Sequence, residues 1–173
     1  MKVYDGSQSD EATDTTPERL KVGIAEYQVT TEPAILTTSG LGSCIGVALY
    51  DDATGAAGLV HVMLPTADDV NGGNRAKFAD TGVAALIEAL EAAGASPRTM
   101  QAKIAGGSDM LDFSENGSGI GVRNVETGRQ TLEEFDIPIV GEDIGGEHGR
   151  SLRLETASGD LIVKSANRDA ITL

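Results

Sequence analysis

Tryptophan is absent from this chain, and Phe and Tyr contribute only three residues each. Whatever core it forms must therefore be packed from Ala, Val, Leu and Ile. A single cysteine excludes an internal disulfide, so nothing points to an oxidising compartment. One Cys and two His are too few soft ligands for a zinc site, and no glycine-rich dinucleotide fingerprint opens a helix after a strand, so no metal or organic cofactor is expected. Residues 1–17 lack the apolar stretch of a signal peptide, and no run reaches the length of a membrane span. The expectation is a cytoplasmic protein with no direct membrane insertion. Proline is sparse at five residues against 22 glycines, a balance that suggests tight turns rather than low complexity.

Positive charge is the other shortage. Thirteen Lys and Arg, five of them Lys, face 27 Asp and Glu, a formal net charge of −14. Such a surface repels phosphate backbones, which argues against nucleic acid as a partner. The carboxylate excess reads as that of a halophilic protein, whose self-repulsion is screened by concentrated salt, or of an ordinary acidic cytosolic protein helped by an acidic tail.

What is present fits one domain of 173 residues, 40% of them apolar. The first seventeen residues are polar, acidic and aperiodic and read as a disordered acidic tail, leaving 18–173 as the folded unit. Leu20, Val22 and Ile24 alternate with Lys21, Gly23 and Ala25 as in a half-buried strand. A further extended run, Ala34 to Thr38, leads into Ser39-Gly40-Leu41-Gly42-Ser43. Apolar runs from Cys44 to Tyr50 and from Ala57 to Leu64 flank Asp51-Asp52-Ala53-Thr54-Gly55, the pattern of strand, turn and strand, and Pro65 closes the second run. Over 77–93, residues Ala79, Val83, Leu86, Ile87 and Leu90 share one helical face, with Gly94 as cap and Pro97 as stop. A short strand covers Ala102 to Ala105, a second helix spans 120–134 with Gly128 weakening it, and strands follow near 137–143, 150–156 and 161–165. Two helices among mostly antiparallel strands imply an α+β or layered α/β domain.

The chemistry concentrates on the hairpin. If its turn centres on Asp52-Ala53, Cys44 and His61 stand opposite one another on one sheet face, about 4.5–5.5 Å apart at Cβ. A shift of one residue would separate them onto opposite faces. An imidazole at that distance can take the thiol proton, creating the thiolate nucleophile, and later return it to a departing amine. A third group usually orients the imidazole, and the glycines ahead of Cys44 could free backbone N–H groups for an oxyanion. By residue type alone, Cys44 is equally a small buried hydrophobe, and His61 a structural histidine.

The run TTSGLGSCIGV (Thr37 to Val47), then GLVHVMLP (Gly58 to Pro65), AKFADTGVAALIEAL, AKIAGGSDM, IGVRNVE and VGEDIGGEHGR, resembles the chemoreceptor glutamine deamidase family, CheD, over roughly residues 20–165. The resemblance implies a layered α/β sandwich and a Cys–His–Thr triad falling on Cys44, His61 and Thr38. It implies hydrolysis of glutamine side chains to glutamate on the cytoplasmic part of methyl-accepting chemotaxis receptors, and association with a CheC-type phosphatase. That association supplies an alternative function, a regulator without catalysis. A cysteine protease or transglutaminase-like enzyme would share the thiol–imidazole chemistry. Arg123 and Asn124 match the family's RNVE stretch and take a structural hydrogen-bonding role or a catalytic one, His148 is a loop residue, and Met110, Leu111 and Phe113 form an exposed apolar docking edge or, as expected here, pack inside.

Overall fold

The computed structural model describes residues 17–67, 73–109 and 119–173. The expected tail therefore lies outside the described residues except for Pro17, as do Met110, Leu111 and Phe113. The described chain forms β1 (Glu18–Lys21), β2 (Glu26–Thr30), β3 (Ala34–Leu41), β4 (Ile45–Asp51), β5 (Ala57–Val62), α1 (Ala79–Ala92), β6 (Met100–Gly106), α2 (Ile120–Glu134), β7 (Ile139–Ile144), β8 (Arg150–Glu155), β9 (Asp160–Lys164) and β10 (Ile171–Thr172). Short 3-10 turns at Arg75–Lys77 and Pro97–Thr99 bracket α1.

The strands make two five-stranded sheets, ordered β1-β3-β8-β9-β10 and β2-β5-β4-β6-β7. Pairing is antiparallel except for β1 with β3 and β6 with β7. This is the expected layered α/β domain with two helices and mostly antiparallel strands.

The layers follow from a period of two within β4 and β5. Ile45, Val47, Leu49, Val60 and Val62 join Val83, Leu86, Ile87 and Leu90 of α1 and Val125 and Leu132 of α2 in one core. Their neighbours Ala48, Ala57 and Leu59 face the other way, packing with Leu36, Leu152, Leu154, Leu161 and Val163 of the first sheet in a second core. Buried on both faces, β4 and β5 read as continuous apolar runs. The order is thus sheet, sheet, helices.

The helix expected at 77–93 begins two residues later, because Arg75–Lys77 winds as a 3-10 turn and Phe78 is extended at the α1 cap. At its other end Ala95 N–H donates to Leu90 O and Gly94 takes φ +105, the glycine cap anticipated from sequence. α2 covers 120–134 as expected. Gly128 lies against the Ile45 side chain, where an added Cβ would come within 3.2 Å of it, so its helix-weakening glycine serves a close approach.

The strand expected through Ile24 stops at Lys21. Val22 is buried but Ile24 is 56% exposed, and Ala25 sits at φ +61. The second half of the alternating run, Val22 to Ala25, is therefore the turn by which the chain leaves the first sheet before β2 of the second begins at Glu26.

Candidate active site

Cys44 lies just ahead of β4 and His61 is the fifth residue of β5. The hairpin register differs from the one expected. His61 pairs with Gly46, and Ile45 with Val62, which centres the turn between Ala53 and Thr54. The cause lies in the loop: Asp51 N–H donates to Ala56 O, while the Asp51 carboxylate accepts from Ala53 N and Thr54 Oγ1. Four residues, Asp52 to Gly55, are enclosed. The displacement of two residues preserves the face, so Cys44 stands diagonal to His61 rather than opposite it. Diagonal neighbours on antiparallel strands are roughly 7–8 Å apart, still within reach of long side chains.

Both residues face the first sheet. His61 is fully buried there, and the half-buried Cys44 packs against the inter-sheet core. Gly46, two residues after Cys44 and paired with His61, shares that face. A Cβ on Gly46 would collide with the Leu152 side chain, which descends from β8 into that space. Leu152 is in turn the partner of Thr38 across β3 and β8.

Thr38 is buried on β3, the last residue before the pairing of β3 with β8 slips between Thr38 and Leu41. Its Oγ1 lies 2.8 Å from His61 Nδ1. The contact joins the two sheets. It leaves His61 Nε2 as a buried atom without a hydrogen-bond partner among the described residues. An unpaired buried polar atom costs about 1–3 kcal/mol and calls for a role.

Burial also sets the protonation state. It pushes the Cys44 thiol up from 9.0, only partly offset by a hydrogen bond with its own backbone, and pushes His61 down from 6.5. Both shifts favour an uncharged resting pair of thiol and neutral imidazole. A preformed ion pair is the less stable arrangement.

The segment around Cys44 is clamped by backbone. Gly107 N–H donates to Cys44 O and Ser108 N–H to Gly42 O. The Gly42 N–H is itself spent on Gly40 O at 3.2 Å, so this glycine offers no free oxyanion donor. Gly106 and Gly107 adopt φ +111 and +69, conformations that suit glycine, and a Cβ on Gly106 would strike Cys44 O. Ser108 is fully buried, and its Oγ has no hydrogen-bond partner among the described residues.

Asn124 is fully buried on α2 and donates from Nδ2 to Ser43 O at 2.8 Å and Met63 O at 3.0 Å. The structural role expected for it is present, but its partners flank Cys44 and His61. No periodicity in the sequence marks that connection. His148 is half-buried in the loop before β8, where burial and the neighbouring Arg150 hold its imidazole below 6.5.

The fold and this geometry define a layered α/β domain with a thiol and an anchored imidazole gathered on its inter-sheet face. The chain belongs to the CheD family: residues 63–165 match the family model described as CheD chemotactic sensory transduction. That range begins two residues beyond His61 and includes Ser108 and Asn124. The chain is 69% identical over all 173 residues to a Haloarcula marismortui protein called probable chemoreceptor glutamine deamidase CheD, covering 100% of both chains. It is 42% identical over 163 residues to a protein of the same description from Natronomonas pharaonis, covering 94% of this chain and 97% of that one. A Halalkalibacterium halodurans protein, called chemoreceptor glutamine deamidase CheD, is 43% identical over 155 residues, 86% of this chain and 94% of that one. Among solved structures, the Bacillus licheniformis hypothetical protein YfiH aligns with a TM-score of 0.48 at 16% identity, over 68% of this chain and 49% of that chain. No described helix is long and apolar enough to cross a membrane.

Proposed function

We propose that this chain hydrolyses glutamine side-chain amides on the cytoplasmic part of chemoreceptors, with Cys44 as nucleophile, His61 as general base and acid, and Thr38 orienting His61. The observation that carries the reading is the 2.8 Å contact between Thr38 Oγ1 and His61 Nδ1, with Nε2 unpaired among the described residues and the ring on the face that Cys44 shares. The relatives' description as chemoreceptor glutamine deamidases supplies the substrate class.

The tautomer that serves is the one in which Nδ1–H donates to Thr38 Oγ1, presenting the Nε2 lone pair to the thiol. Nε2 takes the Cys44 proton as sulfur attacks the carboxamide carbon, forming a tetrahedral oxyanion. Collapse breaks the C–N bond, and the imidazolium returns its proton to the departing nitrogen. Ammonia leaves and a thioester remains. Water then loses a proton to Nε2 and attacks the thioester; the C–S bond breaks, the proton returns to sulfur, and glutamate is released. The uncharged resting pair suits this sequence, since charge separates only as attack proceeds. Each turnover adds one negative charge to the receptor rod, altering the electrostatics of its helix bundle.

The test is ammonia release and the glutamine-to-glutamate mass change on a receptor cytoplasmic fragment, with Cys44→Ala and His61→Ala alongside. An active wild type and two inert, folded variants are expected. An inert wild type on its cognate receptor, or an active Cys44→Ala, overturns the assignment. Measurement of association with a CheC-type phosphatase would then test the regulatory alternative.

A further inference from the structure

The peptide bond between Ser43 and Cys44 is planar, so whatever fixes the Ser43 carbonyl also fixes the Cys44 N–H on the opposite edge and the Cys44 Cα from which the side chain departs. That carbonyl is held by one of the two protons of the Asn124 amide. The second proton goes to the carbonyl of Met63, two residues past His61. Both partners are carbonyl acceptors, so the amide must present its NH2 group to them.

The location of this bridge matters. Paired residues of β4 and β5 run out at Ile45 with Val62, leaving Cys44 and Met63 beyond the last pair. There each segment is held separately, Cys44 O by Gly107 N–H and Met63 N–H by Lys77 O, and neither bond ties one segment to the other. Asn124 supplies the tie from a third element. α2 reaches in because Gly121, one turn earlier, has no side chain; a Cβ there would strike the carbonyls of Gly107 and Ser108. Asn124 is fully buried, and its Oδ1 has no partner among the described residues. Leaving an amide oxygen unpaired in the interior is costly, so this is an uneconomical residue for packing alone.

We infer that Asn124 is a positioning residue for the deamidation: by holding the Ser43 and Met63 carbonyls together it fixes the separation and orientation of Cys44 relative to His61. The inference rests on the deamidase reading. Asn124 acts through the backbone of its neighbours and carries no charge to the thiol.

The experiment combines steady-state kinetics on a receptor cytoplasmic fragment with alkylation of Cys44 by iodoacetamide across pH. The second readout needs no receptor. The full chain is used in molar salt, as wild type, His61→Ala, Asn124→Ala, Asn124→Asp and Leu132→Ala. Asn124→Asp keeps the shape but turns oxygen toward two carbonyls. Leu132→Ala empties a fully buried core position on the same helix and supplies the comparison for simple destabilisation. In both Asn124 variants kcat should fall about a hundredfold, the scale of a small misplacement of reacting groups, with KM within about twofold. Their alkylation profiles should move to that of His61→Ala, while Leu132→Ala lowers the melting temperature and moves neither readout.

Wild-type kcat and alkylation in the Asn124 variants would overturn the inference, as would an equal change in Leu132→Ala. Loss of fold in both Asn124 variants with Leu132→Ala intact would also overturn it, by assigning Asn124 to fold maintenance. If His61→Ala alkylates like the wild type, the deamidase reading itself has failed.

Discussion

Thr38 and His61 belong to different sheets, and the 2.8 Å contact between them is one of the polar bonds that join the two sheets, as the Arg150–Asp143 pair between β8 and β7 also does. Removing the hydroxyl should therefore affect more than packing. Thr38→Val keeps the shape but leaves Nδ1 unpaired and the imidazole free to choose the other tautomer. General-base catalysis contributes roughly 10²–10⁴-fold, and Thr38→Val should lose a substantial part of it from kcat. Thr38→Ser, which restores the hydroxyl, should recover most of the rate. Equal kcat in Thr38→Val and wild type would remove Thr38 from the mechanism.

Burial makes His61 a weaker base than a free imidazole, and this sets the sign of the pH response. In the proposed mechanism the neutral ring is the active form, and burial lets it persist to a lower pH than the ordinary 6.5. The acid limb of kcat/KM should therefore fall below that value, provided that His61 is the group titrating. The same shift destabilises the fold in acid. The unfolded chain binds the proton more readily, so stability decreases as pH falls through 6.5 and levels off below the folded-state value. A proton NMR titration of the His61 ring in folded protein checks the direction directly; a midpoint above 6.5 would contradict it.

Much of the frame was legible because the two strands of the central hairpin are continuous apolar runs around a turn and α1 carries its own helical period. Ala79, Val83, Leu86, Ile87 and Leu90 of α1 are all fully buried, as their spacing implies. β2 was missed since it is an edge strand whose Glu26 and Tyr27 are exposed, leaving little alternation to detect. The hairpin arithmetic found the correct face for Cys44 and His61 but misplaced the register, because the side-chain bonds of Asp51 decide how many residues the turn encloses. Contacts between sheets are less accessible still. No local pattern indicates that Thr38 reaches His61; the family resemblance singled out Thr38. Nor does any pattern reveal that Asn124 holds two distant carbonyls.

Asp51 can be tested as the residue that locks that turn. Its fully buried carboxylate accepts from Ala53 N, Thr54 Oγ1 and Ser96 N. Burial alone would raise its pKa, but the hydrogen bonds, including one from Thr99, outweigh that effect and hold it below 3.8. Its contribution to stability is complete above that pH and disappears as pH falls through the lower folded-state value. Asp51→Ala should cost about 1–3 kcal/mol at neutral pH by leaving buried donors unpaired. The deficit relative to wild type should shrink in strong acid. Thermal melts across pH read both effects; a deficit independent of pH would show that the carboxylate charge is irrelevant.

The net charge of −14 predicts a salt response unlike that of an ordinary surface. Just four ion pairs stand out among the described residues: Arg75–Glu88, Arg129–Glu142, Arg150–Asp143 and Arg153–Glu155. Salt weakens the exposed pairs among them slightly, and the largely buried Arg150–Asp143 pair less, but screens a much larger self-repulsion, whose range is about 10 Å at 0.1 M and 3 Å at 1 M. The melting temperature should rise between dilute and molar KCl. A flat or falling profile would rule out the halophilic reading.

Gly46 separates a packing requirement from a chemical one. It faces His61 across the hairpin, and the space above it is occupied by Leu152, the partner of Thr38 on the other sheet. Gly46→Ala introduces a methyl group where the Leu152 side chain already sits, so Leu152 or a whole sheet must move. Overpacking of this kind costs about 1–3 kcal/mol, and here the displacement falls beside the bond that orients the imidazole. Gly46→Ala should therefore lower both melting temperature and kcat. Leu152→Val, which shortens the opposing side chain, should be mildly destabilising alone but should restore part of both losses when combined with Gly46→Ala. Simple additivity in the double-mutant cycle would mean that the two residues do not share the space; coupling confined to stability would mean that the packing between the sheets does not set the alignment of Thr38 with His61.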